Sequence, residues 1–161
     1  MIQIKITPEI IARAKKKAAT VGVLQGSITG SLSNVVGAIG EIIVEDYTGG
    51  TEANSKDFDI LVDERRVDVK TKRCNTTPSP KYDCSVAAHG TKQDCDSYVF
   101  VRILTDHSKA WILGEIPKPE FYKKATRYRT GDVDPSNGFV FKADCYNLAI
   151  RELDSVKEAQ G

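Results

Sequence analysis

The sequence has almost no excess of either charge: 23 Lys and Arg against 22 Asp and Glu in 161 residues leave a net +1. That balance excludes the overall cationic signature of a histone-like protein or a basic nucleic-acid arm, so any contact with nucleic acid must use a local patch. Long apolar runs are absent too; none approaches the ~20 residues of a membrane helix. At the N-terminus Ile2, Ile4 and Ile6 alternate with Gln3 and Lys5, where a signal peptide would carry a continuous apolar segment. The expected location is cytoplasmic, the host cytoplasm if the protein is viral, with no membrane partner. The four cysteines form no CxxC pair, and the gaps between Cys74, Cys84 and Cys95 are not those of a zinc knuckle or ribbon, even with His89 nearby. The expectation is free thiols acting as small hydrophobes. No glycine-rich loop follows a strand, which argues against a nucleoside-triphosphate site. No repeat or low-complexity segment is present, and a chain of this length buries a core without disulfides or a structural metal, so residues 1–161 are expected to form one domain.

What is present divides into helical and extended patterns. Thr7-Pro8-Glu9 combines a capping hydroxyl, a proline at the first helical position and an acid at the positive helix end, predicting a helix over 7–20. Ile11, Ala14, Ala18 and Val21 share its apolar face. Arg13, Lys16 and Lys17 project elsewhere, as a solvated face or as phosphate contacts. The Gly, Ser and Thr-rich stretch 22–33 reads as a loop before a second helix over 34–47, striped with Val35, Ile39, Ile42 and Ile43. Gly37 and Gly40 lower its helix propensity and predict a close approach to another backbone, and Thr48-Gly49-Gly50 ends it.

From Asp57 the period becomes extended. Residues 58–62, a polar turn at 63–66 and residues 67–72 predict a hairpin, and 98–104 and 110–116 predict two further strands, the first apolar enough to be central. A short helix over 117–125, a strand at 139–142 and a strand or closing element at 146–153 complete the pattern. Helices followed by a largely consecutive strand set indicate an α/β (α+β) domain.

Residues two apart on a strand share a face, so Asp68, Lys70 and Lys72 project together, as do Asp57 and Asp59 on the preceding strand. Asp59 beside Asp68 is unfavourable unless a cation sits between them, and hard oxygen ligands suit Mg²⁺ or Mn²⁺. Lys70 offsets part of the repulsion and is suited to orienting a nucleophilic water. The second helix adds Glu41, directly after Gly40, with Glu45 one turn on.

Gly40-Glu41, Asp59-Ile60-Leu61-Val62 and Asp68-Val69-Lys70 together resemble the PD-(D/E)XK nuclease superfamily, whose members carry a helix glutamate, an Asp on one strand and an acid-x-Lys triplet on the next. The spacings agree: 59 − 41 = 18 spans a helix end and a loop, and 68 − 59 = 9 is a short hairpin. The resemblance covers 34–73. Phe58 stands where the family's proline would be, and Asp68 where a glutamate is commoner. It implies a restriction-endonuclease-like core, with the N-terminal helices packed on a central mixed β-sheet. It also implies that Asp59, Asp68, the Val69 carbonyl and Glu41 hold one or two Mg²⁺ or Mn²⁺ ions, and that Lys70 positions water or balances phosphorane charge. The reaction implied is phosphodiester hydrolysis to 5′-phosphate and 3′-hydroxyl ends, with DNA as partner.

Charge segregates around these residues. Residues 41–63 hold seven acids and one lysine, whereas 64–82 hold six cations and two acids and 118–129 five cations and one acid. Lys72 and Arg73, with Lys123, Lys124, Arg127 and Arg129 interleaved with Tyr122 and Tyr128, are the candidate nucleic-acid contacts, and Trp111 is a third aromatic able to stack on bases. The expected function is a small endonuclease of the phage or mobile-element kind, acting on structured DNA, with a homodimer among its expected forms. The alternatives are an RNA-directed nuclease and a non-catalytic nucleic-acid-binding or virion-associated protein that keeps the fold.

Overall fold

Thr7-Pro8-Glu9 starts a helix in the computed structural model, which describes residues 1–24, 32–53 and 55–160. The Thr7 Oγ1 accepts the Ile10 N–H at 3.2 Å, satisfying one of the free donors at the start of α1 (Pro8–Leu24). Of the expected loop 22–33, both ends are helical and residues 25–31 lie outside the described residues, as does the Val21 side chain. The second helix, α2 (Leu32–Thr48), ends on Gly49, whose φ of 72° suits glycine and whose N–H closes on the Glu45 carbonyl at 2.9 Å. Arg13 grips Asp46 with two guanidinium nitrogens at 2.8 and 3.1 Å, so this cation ties α1 to α2 and is not a free solvated charge.

Two sheets follow. The larger contains β1 (Ile2–Lys5), β2 (Thr51–Glu52), β3 (Ile60–Val62), β4 (Arg65–Cys74), β6 (Ser97–Leu104) and β7 (Lys109–Pro117), in the order β1-β7-β6-β4-β3-β2. All neighbours are antiparallel except β4 and β6, which makes the sheet mixed. The smaller sheet has the order β5 (Asp83–Ala87), β9 (Cys145–Ala149), β8 (Thr126–Tyr128). A short helix, α3 (Lys118–Lys124), follows β7.

The pattern of β6 explains the layering. Val99, Val101 and Ile103 join the core under α1 and α2, while Tyr98 and Phe100 join a second core with α3 and the smaller sheet. A strand covered on both faces is apolar at nearly every position, and in 98–104 Arg102 alone interrupts the run. Around Leu113 the β6–β7 register slips by one residue, because Phe100 pairs with Gly114 and Val101 with Ile112. Among the described residues no helix is long and apolar enough to cross a membrane.

Several local expectations change. The alternation at the N-terminus is an edge strand, β1, paired with β7. The strand expected at 139–142 does not form; Val140 makes one bridge to Val133, and Phe139 and Val140 stay exposed because no sheet edge covers them. The closing element is β9 plus a 3₁₀ turn at Ile150–Glu152. Trp111 is buried in the second core, so its ring is not available to stack on bases. The four cysteines are free thiols, Cys84 and Cys95 buried in that same core.

Candidate active site

The hairpin that carries the acids turns through Asp63 and Glu64, both with φ above zero (47° and 67°), in the two-residue form whose twist matches its strands. Its ladder ends at Ile60 paired with Val67. Asp59 still donates its N–H to the Val67 carbonyl at 2.9 Å, and its side chain then takes the place of a strand partner: Oδ2 accepts the Val69 N–H at 2.8 Å. In an extended strand the N–H and C=O of one residue point to the same side, so the Val69 carbonyl faces this opening as well.

Alternation along β4 sorts the rest. Val67 and Val69 pack under the helices, and Gly40 of α2 backs onto Thr71 of the same face. A β-carbon at Gly40 would lie 2.9 Å from the Thr71 β-carbon and still closer to its Oγ1, so only glycine lets α2 come this near, and Glu41 is carried with it. The approach predicted from the two glycines is therefore real at Gly40, against a side chain; Gly37 faces open space. Asp68, Lys70 and Lys72 occupy the opposite face, and Arg73 falls on the helix side, away from them.

Asp68 is 6% exposed, and the Lys70 Nζ lies 2.8 Å from its Oδ2. The pair is an ion pair without hydrogen-bond geometry, so this buried oxygen has charge compensation but no hydrogen bond. Lys70 instead donates to the Gln93 Oε1 at 3.0 Å, with the Tyr98 ring 5.7 Å from its ammonium. Gln93 is fixed in turn: its amide nitrogen reaches the Asp57 carbonyl at 3.5 Å, and the Lys118 ammonium hydrogen-bonds to its backbone carbonyl. Asp57 thus enters the site through its main chain, whereas Asp59 enters through its carboxylate.

Asp59 shows the cost of crowding acids. Burial, then the charges of Glu41 and Asp68, push its pKa up to about 8 against the pull of the Val69 N–H, with Glu41 close enough to share a proton by hydrogen bond. Lys17 of α1 answers part of that charge, with Nζ 2.7 Å from Glu41 and 3.2 Å from Glu52. Those two carboxylates raise its pKa despite burial. Among the described residues no three His, Cys, Asp or Glu side chains converge tightly enough to hold one ion by themselves. The donors nevertheless fit a hard divalent cation in kind: carboxylates, a main-chain carbonyl and a buried carboxylate oxygen lacking a hydrogen bond.

Sequence reasoning missed Lys17 and Gln93. Lys17 looked like a surface cation of a helix more than twenty residues before Glu41, and Gln93 lies in a loop with no motif; only the packing of α1 on α2 and of the 88–93 segment beside β4 brings them in. Of the expected nucleic-acid contacts, Lys72, Lys123, Lys124, Arg127 and Arg129 are exposed. Lys123 and Lys124 end α3, and Arg127 lies on β8 with its guanidinium 5.8 Å from the Tyr146 ring. Tyr122 is half-buried, hydrogen-bonded to Tyr98 at 2.9 Å. No protein-family model matches the chain, and no curated protein matches it significantly.

Proposed function

We propose that the chain is a metal-dependent nuclease that hydrolyses DNA phosphodiester bonds as an endonuclease, leaving 5′-phosphate and 3′-hydroxyl ends. The observation that carries this reading is the return of Asp59 onto the Val69 N–H, which sets Asp59 within electrostatic reach of both Glu41 and Asp68, the latter paired with Lys70. Asp59, Asp68, Glu41 and the Val69 carbonyl would hold Mg²⁺ or Mn²⁺. When bound, the ion supplies Lewis-acid polarisation of the scissile phosphate and stabilises charge on the leaving oxygen.

The remaining work falls to side chains. Lys70, held by Gln93, carries donors able to orient the attacking water and to balance charge on the phosphorane. Burial and the charges of Glu41 and Asp68 raise the Asp59 pKa, and the group would serve as a ligand in its carboxylate form. Lys17 keeps Glu41 ordered while its negative partners are crowded.

A second reading, a nucleic-acid-binding protein without catalysis, draws on the two ammonium groups already seated on Glu41 and Asp68. Incubation of supercoiled, linear, branched and single-stranded DNA, and of RNA, with Mg²⁺, Mn²⁺ or EDTA separates the two. The nuclease reading expects ion-dependent cleavage that Asp68→Asn and Lys70→Met each abolish while the fold is kept, with Lys70→Met melting lower because it strips the buried Asp68 of its counter-charge. Cleavage retained in both variants removes this site from the reaction. Binding without cleavage of any substrate favours the second reading.

A further inference from the structure

A cleft of about 580 Å³ lies beyond the active-site face of β4, walled by Lys72 and Arg102 on one side and by the 134–147 segment on the other. That volume lies in the range of small-ligand sites. A smaller cavity of about 200 Å³ shares Lys72, Ser85 and Arg102 with it and reaches Lys70, so the two sites are connected along one sheet face.

The cleft is cationic. Lys72, Lys81, Arg102 and Lys142 face Asp83 and Asp134, giving 4 − 2 = +2. Asp134 is already occupied, accepting the Ser136 N–H at 2.9 Å and its hydroxyl at 2.7 Å. Arg102 donates to the Asp83 carbonyl at 2.6 Å and so braces the wall. Lys72, Lys81 and Lys142 make no ion pair among the described residues. Desolvation by the cleft walls, then the Arg102 charge, lower the Lys72 pKa, while Asp83 pulls it the other way without forming an ion pair.

The cleft also presents aromatic surface to water. Phe139 is 54% and Tyr82 48% exposed. Phe139 is braced edge-on by Phe141 at 5.2 Å, and Phe141 stacks on Tyr128 at 4.1 Å, so the exposed ring is held in place while contributing little burial. Phosphate contacts alone need cations and no rings. Stacking on a ring needs a base that is out of its duplex, since paired bases expose only their edges.

We propose that this cleft holds one unpaired nucleotide of the substrate strand, with its base against Phe139 and Tyr82 and its phosphates on Lys72, Lys81 and Lys142. The substrate class is then single-stranded or locally unpaired nucleic acid, an inference that rests on the nuclease reading of the adjoining site. Fluorescence anisotropy in EDTA, with the full chain, compares a labelled single-stranded oligonucleotide with the blunt duplex of the same sequence. Wild type is expected to prefer the strand at least tenfold, and Phe139→Ala and Lys72→Met each to lose about fivefold or more of strand affinity, with duplex affinity changed less than twofold. Both side chains are exposed, and unchanged melting temperatures check the fold.

Equal affinity for strand and duplex, or full strand affinity in both variants, overturns the proposal. Tighter binding of a free nucleoside 5′-monophosphate than of the strand overturns it in favour of a small-molecule site. Binding in EDTA is independent of cleavage, so a strand held in the cleft but never cut sinks the nuclease reading alone. Cleavage that ignores both cleft variants sinks the cleft alone.

Discussion

Gly40→Ala puts a methyl group between α2 and β4 directly behind Lys70. The added carbon would sit 2.9 Å from the Thr71 β-carbon and 3.0 Å from its Cγ2, with Oγ1 nearer still. Rotation of Thr71 can move Oγ1 but not its β-carbon, so helix and strand must separate by some tenths of an ångström. Overpacking of this kind costs about 1–3 kcal/mol, while glycine to alanine inside a helix returns about 1 kcal/mol. The expected net is a loss of up to about 2 kcal/mol, or up to roughly 8 °C in melting temperature for a chain of this size. Thr71→Ala tests the cause, because it deletes the clashing hydroxyl, which is buried without a hydrogen-bond partner. In that background Gly40→Ala should cost less by about 1 kcal/mol, a coupling of the size expected for touching residues. Calorimetry or chemical denaturation of the four proteins measures it. A Gly40→Ala variant more stable than wild type, or strict additivity with Thr71→Ala, would refute the close approach that places Glu41.

Asp59→Asn should raise the melting temperature at neutral pH without added divalent ion, by removing one of three crowded acids, and should abolish any rise caused by Mg²⁺. The sign follows from Asp59 binding its proton more tightly folded than unfolded: its contribution is present below about pH 4 and fades as pH climbs toward about 8, so the variant should lose less stability than wild type across that window. Lys17→Met should lower stability without added ion, most at low salt, and enlarge the Mg²⁺-induced rise, because a divalent ion then answers charge that Lys17 answered; an unchanged rise would show that Lys17 and the ion do not share Glu41. Gln93→Leu frees the Lys70 ammonium and should slow cleavage about ten- to hundredfold with little change in melting, as for other groups that orient an active residue; an unaltered rate would remove Gln93 from that role.

Local pattern was legible where one residue's neighbours in sequence settle its fate. The Thr7 cap, the stripe of Ile39, Ile42 and Ile43, the Asp63-Glu64 turn and the shared face of Asp68, Lys70 and Lys72 all follow from periods of 3.6 or 2 and from cap and turn chemistry. Illegible were short strands such as β5 and β8, which exist only because β9 pairs with both, and the failed strand at 139–142, which had the composition of a strand but no edge to join.

By itself the sequence determined the α/β class, the central position of 98–104 and the face on which the D-x-K triplet projects, because side-chain period is a local property of the backbone. Tertiary structure alone decided that β4 runs parallel to β6, that Asp59 turns back onto Val69, that Lys17 and Gln93 reach the acids, and that Lys72 opens into a cleft ringed by Phe139 and Tyr82. Those are choices of partner across long stretches of chain. They are fixed by which apolar faces can cover one another and by where the buried charges find counter-charges, and no period in the sequence encodes either.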